Sequence, residues 1–439
     1  MKSGDEIKNE NASQPWSRVF VVFVLVLPLV LLFAVPPHGS FSQIAFWLFV
    51  ILLVNGLIIW MLLRGRARAA AAGPTPPRFL PEQETPPIIQ QVMNVQSAIE
   101  DGGVEIFRGP LRESAESAFE KLKQTFAHAF VPLVQEDKRM GAAIFLVPKP
   151  VEAATMEKPV RLWRHWLLFF LTFLTTTWAG ALHQGINLWQ EPEKFAVGLP
   201  YSIGLLGILG FHELGHYFTA RRYHMHVTPP FFIPVPFALG TFGAFIQMRS
   251  PAENRRSLFD VAIAGPLAGL VLAIPALIFG LRASTLIPIG PETPEPFLDG
   301  GNITPSILFA LIAKISLGSR WAGDYVLRLS PLAFAGWLGL LVTALNLLPI
   351  GQLDGGHIAR AMCGDRAGSF IGRVAMWALF LLAIFVWPNL LMWAVIVFFL
   401  ARRATPPLND LTPIDKGRRW LGLFSFLILL LILIPMPRG

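Results

Sequence analysis

The sequence predicts an α-helical polytopic membrane protein of about nine spans, with a small α+β cytoplasmic domain and a re-entrant β-hairpin beside a candidate metal site. Three observations predict it. Hydrophobic residues make up 54% of the 439-residue chain and charged residues only 15%, where a soluble globular protein carries about 25% charged residues. The apolar residues gather into runs long enough to cross a bilayer. Polar residues form a block of their own, from Pro76 to Lys158. The net charge of +8 does not imply nucleic-acid binding, because most Lys and Arg flank apolar runs, where they set membrane orientation. The single cysteine, Cys363, excludes an intrachain disulfide framework and a thiolate zinc cage.

Residues 1–18 are expected to be a cytoplasmic N-terminus. The first apolar run lacks a small-residue cleavage site before Pro36, so it reads as a retained anchor. Asp5, Glu6 and Glu10 argue against a transit peptide. Residues 19–63 supply two spans, 19–35 and 41–63, followed by the basic cluster Arg64–Arg68. Residues 64–160 then form a linker and a small soluble α+β domain. Its pattern reads as the strand VEIFRGPL, the amphipathic helix SAFEKLKQTFAHAF, and a hairpin from VPLVQE to AAIFLVPK.

Residues 161–403 are expected to form the membrane core, with spans at 166–187, 197–222, 258–281, 331–350, 370–387 and the short 389–401. Residues 404–439 add a cytoplasmic loop and a last span at 420–435, and 305–317 is either an interfacial helix or loop. Arg221, Arg222, Arg255, Arg256, Arg402, Arg403, Lys416, Arg418 and Arg419 fall on one side in an alternating topology, and that side is expected to be cytoplasmic.

The chemistry-bearing segment is FHELGHYFTARR. His212 and His216 are four apart, so a helix sets both imidazoles on one face. Glu213 lies beside them, placed to take a proton from a water whose pKa zinc would lower to near neutrality. These residues interrupt an apolar span, where an ionisable group costs about 3 kcal/mol or more. Zinc needs a third protein ligand and an open position, and the best candidate is Asp354 in NLLPIGQLDGGHIARAM. Pro349, Gly351, Gly355 and Gly356 are expected to break the helix there, and irregular backbone at membrane depth requires protein or water around it. In isolation LDGG reads as an ordinary Gly-rich turn, but both halves lie at a similar depth from their flanking arginines. His212 and His216 are about 10–15 Å along the helix from Arg222.

Asn346 either donates to a developing oxyanion or joins two helices by a hydrogen bond. His357 either supports the metal ligands from behind or lies beyond the break near the interface, and His224 and His226 read as interfacial. Residues 228–248 contain Pro229, Pro230, Pro234 and Pro236, which exclude a helix in a strongly apolar segment. It is either a surface loop or a re-entrant hairpin whose free edge pairs with an extended substrate. Gly240, Thr241, Phe242 and Gly243 are the expected substrate contacts. Gly265, Ala268, Gly269 and Ala273 lie at near-helical spacing, a stripe that allows close helix packing.

Through HELGH and the Asn346, Pro349, Asp354, Gly355 pattern, the chain resembles the site-2 protease family of intramembrane zinc metalloproteases, peptidase family M50, over Trp163 to Arg403. The resemblance implies one zinc ion on His212, His216 and Asp354, Glu213 as catalytic glutamate, and Asn346 as the family's membrane asparagine. It implies a metalloendopeptidase acting on single-span membrane proteins within the lipid bilayer. The run PPFFIPVPFALGTFGAFIQMRSPAENRRSLFDVAIAGPLAG is similar to the branch of the plant chloroplast ethylene-dependent gravitropism-deficient and yellow-green proteins and their prokaryotic relatives. FRGPLR resembles that branch's Gly-Asn-Leu-Arg motif with Pro110 in place of Asn, and Gln352-Leu353-Asp354-Gly355 stands where the plants have Asn-Pro-Asp-Gly. These departures suit a bacterial member in the inner membrane. The alternative is a transporter or ion pathway with broken helices, and a catalytically silent scaffold is a further one. No inverted repeat supports the transporter, and the intact Glu213 opposes the scaffold.

Overall fold

The computed structural model describes residues 78–81, 84–149, 161–236, 238–288, 305–318, 325–385, 390–400 and 405–435. The expected spans 19–35 and 41–63 lie outside them. The polar block folds as a five-stranded antiparallel sheet in the order β1-β2-β3-β5-β4, with two helices packed against it. The strands are β1 (Arg78–Phe79), β2 (Ser97–Asp101), β3 (Val104–Gly109), β4 (Phe130–Asp137) and β5 (Gly141–Pro148). The helices are α1 (Pro87–Val92) and α2 (Ala115–Phe126).

The predicted strand, helix and hairpin are β3, α2 and the β4–β5 pair. Ser114 caps α2 by accepting from the Ser117 N–H at 3.2 Å, and Ala118, Phe119 and Leu122 turn inward, the spacing of one helix face. They meet Ile89, Val92, Phe107, Ile144 and Leu146 in one apolar core. The β2–β3 hairpin was not foreseen. Asp101 and Val104 pair across Gly102 and Gly103, whose φ values of 58° and 79° give the two positive-φ positions that a tight hairpin turn requires. The polar run SAIED hides that strand from a periodicity reading.

The remainder is helical: α3 (Leu162–Leu182), α4 (Leu199–Arg222) after a 3₁₀ turn (Pro192–Gly198), α5 (Arg255–Arg282), α6 (Ile307–Leu317), α7 (Pro331–Leu347), α8 (Asp354–Phe385), α9 (Leu390–Leu400) and α10 (Lys416–Leu433). Two small antiparallel pairs interrupt them: β6 (Phe231–Pro234) with β7 (Thr241–Phe245), and β8 (Thr285–Pro288) with β9 (Tyr325–Arg328). Among the described residues four helices are long and apolar enough to cross a membrane: Leu162–Leu182, Pro192–Arg222, Arg255–Arg282 and Asp354–Phe385. The ambiguous segment 305–317 is largely the helix α6.

Packing of α4, α5 and α7 positions the site. In lipid, helices associate by close van der Waals contact, so small residues mark where backbones meet. A Cβ on Gly336 of α7 would lie 2.6 Å from the Leu277 nitrogen of α5, and one on Gly339 would lie 2.9 Å from the Ala273 Cβ. A Cβ on Gly215 of α4 would lie 2.5 Å from the Ala264 carbonyl oxygen. The start of α5 is fixed by a reciprocal cap, in which Asn254 Oδ1 accepts from Ser257 N and Ser257 Oγ accepts from Asn254 N, at 3.0 and 3.1 Å.

One expectation needs correction. Gly355 and Gly356 do not belong to the helix break. The break spans residues 348–353, where Gly351 has φ 53°, and α8 begins at Asp354. The two glycines lie in its first turn because the backbone of Leu347 to Gly351 presses against them, and any side chain would collide with those carbonyls. The helix is interrupted later, at Gly364 (φ 85°, ψ 173°).

Replacing Gly336 by Val forces α5 and α7 apart, an overpacking that costs about 1–3 kcal/mol. Thermal unfolding in detergent is expected to show this loss. The lipid-side substitution Val271→Ala, at a residue 64% exposed, is expected to leave the midpoint unchanged.

Candidate metal centre

The HELGH segment lies within α4, five residues or more from its terminal arginines. His212, Glu213 and His216 are all buried. Asp354, the first residue of α8, reaches the same point from the other side of α7. Its Oδ2 is 3.4 Å from His212 Nε2 and 3.3 Å from His216 Nε2, and the two imidazole nitrogens are 3.2 Å apart. A tetrahedral zinc with ligand bonds of about 2.0–2.1 Å separates its ligand atoms by about 3.3 Å. The triangle therefore has the edge lengths that such an ion requires. Among the described residues this is the cluster of His, Cys, Asp and Glu able to hold a metal. Three protein ligands leave a fourth position open, the pattern of catalytic sites.

The surroundings orient these ligands. His216 Nδ1 lies 2.7 Å from the Val261 carbonyl oxygen of α5, so that nitrogen carries the proton and Nε2 is left as the metal donor. The α5 stripe makes room for both rings. Gly265 abuts the His216 ring so closely that a Cβ there would overlap its Nε2, Cε1 and Cδ2 atoms, and a Cβ on Gly269 would stand 3.4 Å from His212 Nδ1. The sequence marked this stripe for helix packing alone. Its function as a seat for the two imidazoles depends on which α5 residues face His212 and His216, and one sequence does not contain that.

Asn346, in the last turn of α7, has its amide nitrogen 3.3 Å from His212 Nε2. It therefore sits beside the ligand triangle. Glu213 lies near the backbone N–H of Ile246, the residue following β7. His357 lies outside the ligand group and hydrogen-bonds the Gln352 backbone. His224 and His226 are exposed beyond α4.

The four expected substrate contacts divide into two pairs. Gly240 forms the turn: its φ is 80°, and a Cβ would lie 2.5 Å from Thr176 Cα of α3. Its carbonyl accepts from Thr175 Oγ1 at 2.7 Å, and the neighbouring Leu239 carbonyl accepts from the Tyr201 hydroxyl at 2.9 Å. Thr241 is buried and donates to the Ile233 carbonyl at 2.9 Å. Both residues thus hold the hairpin. Phe242 is exposed, and Gly243 (φ 104°) has open space around it. β7 pairs only with β6 among the described strands, so its other edge has no strand partner there.

Two imidazoles and a carboxylate converging within apolar helices, with a glutamate adjacent, define a metalloprotease-like membrane site. Residues 200–387, which contain every one of these groups, match peptidase family M50. Three plant relatives make the likeness more particular. The chain is 35% identical over 243 residues to a probable zinc metalloprotease EGY1, chloroplastic, of Oryza sativa subsp. japonica, covering 54% of this chain and 41% of that protein. It is 30% identical over 369 residues to the Arabidopsis thaliana protein of the same name, covering 75% and 66%. It is also 30% identical over 348 residues to the probable zinc metalloprotease EGY2, chloroplastic, of Arabidopsis thaliana, covering 77% and 61%. The chain thus spans less than two thirds of the length of each.

The Gly265 contact yields a direct test. Gly265→Ala displaces the His216 ring, and disturbed ligand support lowers metal affinity by about 10–100-fold. Metal analysis of the purified variant against a competing chelator is expected to show that loss in a chain that still elutes as folded protein. Unchanged affinity would remove His216 from the ligand set.

Proposed function

We propose that this chain is a zinc-dependent intramembrane endopeptidase that hydrolyses peptide bonds in or near the transmembrane segments of single-span proteins. The observation that carries the reading is the meeting of His212, His216 and Asp354 inside apolar helices, with Glu213 one residue along. When bound there, zinc supplies Lewis acidity and lowers the pKa of a water toward about 7.

The chain's own groups do the rest. Glu213 takes a proton from the attacking water and returns it to the departing amine, a general acid–base role worth about 10²–10⁴-fold in rate. The Asn346 amide donates a hydrogen bond to the carbonyl oxygen as charge develops on it. A substrate helix hides its peptide bonds, so a segment must be extended before it is cut. The edge of β7 away from β6, which pairs with no other described strand, is the surface on which an extended segment can pair, at Gly243 where the surroundings are open.

The hairpin is read as re-entrant, and the full chain as having about nine spans once 19–35 and 41–63 are included. The boundaries 1–18, 19–63, 64–160, 161–403 and 404–439 are kept as its organisation. Lys and Arg beside the span ends favour a cytoplasmic α+β domain and a site opening toward the cytoplasm. We place the chain in a bacterial inner membrane, on the departures at Pro110 and in Gln352–Asp354. The names of the plant relatives refer those proteins to the chloroplast. The break at Gly364 is a feature shared with the transporter alternative, but it gives no reason for a His-Glu-x-x-His segment facing a carboxylate.

Purified protein reconstituted with a single-span model substrate tests the reading. Wild type is expected to cleave, to stop with a zinc chelator, and to recover when zinc is returned. Glu213→Gln is expected to retain zinc and lose at least about 10²-fold in rate. Equal cleavage by both proteins would remove Glu213 as the base.

A further inference from the structure

Asp354 sits at one end of a short helical leg, residues 354–363, bounded by the break at 348–353 and by Gly364. Both ends of this leg are clamped. At the first end, Gly355 and Gly356 press on the backbone of Leu347 to Gly351. At the far end, Arg255 of α5 donates to the Ala361 carbonyl at 2.9 Å and to the Arg360 carbonyl at 3.4 Å. Arg360 itself, buried, donates to Asp410 Oδ2 at 3.0 Å and pairs with Asp365 at 2.6 Å.

Asp410 belongs to a strap, residues 405–415, that touches three parts of the molecule. Its backbone extends the α+β sheet along β4: Val134 N–H donates to the Leu408 carbonyl at 2.7 Å, and Asp410 N–H donates to the Val134 carbonyl at 2.9 Å. On the other side, Leu408 and Asn409 N–H donate to the Ala252 and Glu253 carbonyls, just before α5, at 2.9 and 2.8 Å. The Asn409 amide donates to the Ala115 carbonyl at the start of α2, at 3.0 Å. Leu408 and Leu411 also pack on the α+β core.

A strap that merely joined two surfaces would not need a buried ion pair, since apolar residues of similar volume are commonly as stable or more so. Asp410 Oδ1 is buried and has no hydrogen-bond partner among the described residues, and burial pushes its carboxyl above the ordinary range while Arg360 opposes that shift. Directional, charge-assisted contacts fix an orientation that apolar packing does not.

We infer that Arg360 and Asp410 are positioning residues for the metal centre, linking the α+β region through the strap to the leg that carries Asp354. The inference rests on the function proposed above for that centre. Six residues separate Arg360 from Asp354, about 9 Å along the helix. A tilt of the leg by about 5° about Arg360 therefore moves the carboxylate by about 0.8 Å, beyond the roughly 0.5 Å tolerance of a working site. Whatever the α+β region binds thereby acts on the third ligand.

The test uses full-length protein in detergent with cobalt(II) replacing zinc, because the visible bands of cobalt report ligand geometry independently of turnover. Asp410→Asn is expected to keep one metal per chain, to shift or broaden those bands, and to lower kcat on a single-span model substrate about 10–100-fold with little change in KM. Wild-type bands and wild-type kcat in this variant would overturn the inference. Where Asp410→Asn does not fold, Asn409→Ala decides. It frees the strap from Ala115 and leaves the ion pair chemically intact, so a smaller shift in the same direction supports the link and an unchanged spectrum overturns it. Altered bands in a protein whose wild type cleaves nothing would count against the protease reading alone. Normal cleavage with identical bands would count against the positioning role alone.

Discussion

Imidazoles and carboxylates are expensive in an apolar helical bundle unless they answer one another, at about 3 kcal/mol or more for each ionisable group left alone. His212, His216 and Asp354 meet at 3.2–3.4 Å, and much of the neighbouring structure can be traced to that meeting. α5 carries glycine at the two positions facing the imidazoles. The Val261 carbonyl holds the His216 tautomer. The chain breaks after α7 so that a new helix can begin at Asp354.

The hairpin between the two halves obeys a different constraint. Backbone groups withdrawn from water must find hydrogen-bond partners inside the protein. The turn carbonyls of Leu239 and Gly240 are satisfied by the Tyr201 and Thr175 hydroxyls, and β6 satisfies one side of β7. Among the described strands β7 has no partner on its other edge, the edge that the proposed function assigns to an extended segment of substrate.

Much of this was legible in the sequence because it rests on local pattern. The four-residue spacing in HELGH put both imidazoles on one face, and the depth argument brought Asp354 to them. The apolar run with Pro229, Pro230, Pro234 and Pro236 could not be helical, and residues 241–245 do form a strand. In the α+β region, alternation and amphipathic spacing revealed β3, α2 and the β4–β5 pair. Features that depend on long-range contact were not legible. Gly355 and Gly356 look like turn residues, and only the nearness of the Leu347 to Gly351 backbone explains them inside a helix. The bonds of the Gly240 carbonyl to Thr175 and of the Thr241 hydroxyl to Ile233 likewise join residues far apart in the chain or across the turn, which local pattern does not reveal. Nothing local in residues 405–415 announces a strap that pairs with β4 at residue 134.

X-ray absorption at the zinc edge measures the composition of the metal shell directly. A four-coordinate zinc with two imidazoles and otherwise oxygen ligands at about 2.0–2.1 Å is expected, with loss of the imidazole signature when His212 and His216 are replaced. A sulfur ligand at about 2.3 Å, which only the exposed Cys363 and the methionines could supply, would contradict it. So would a shell unchanged by those replacements.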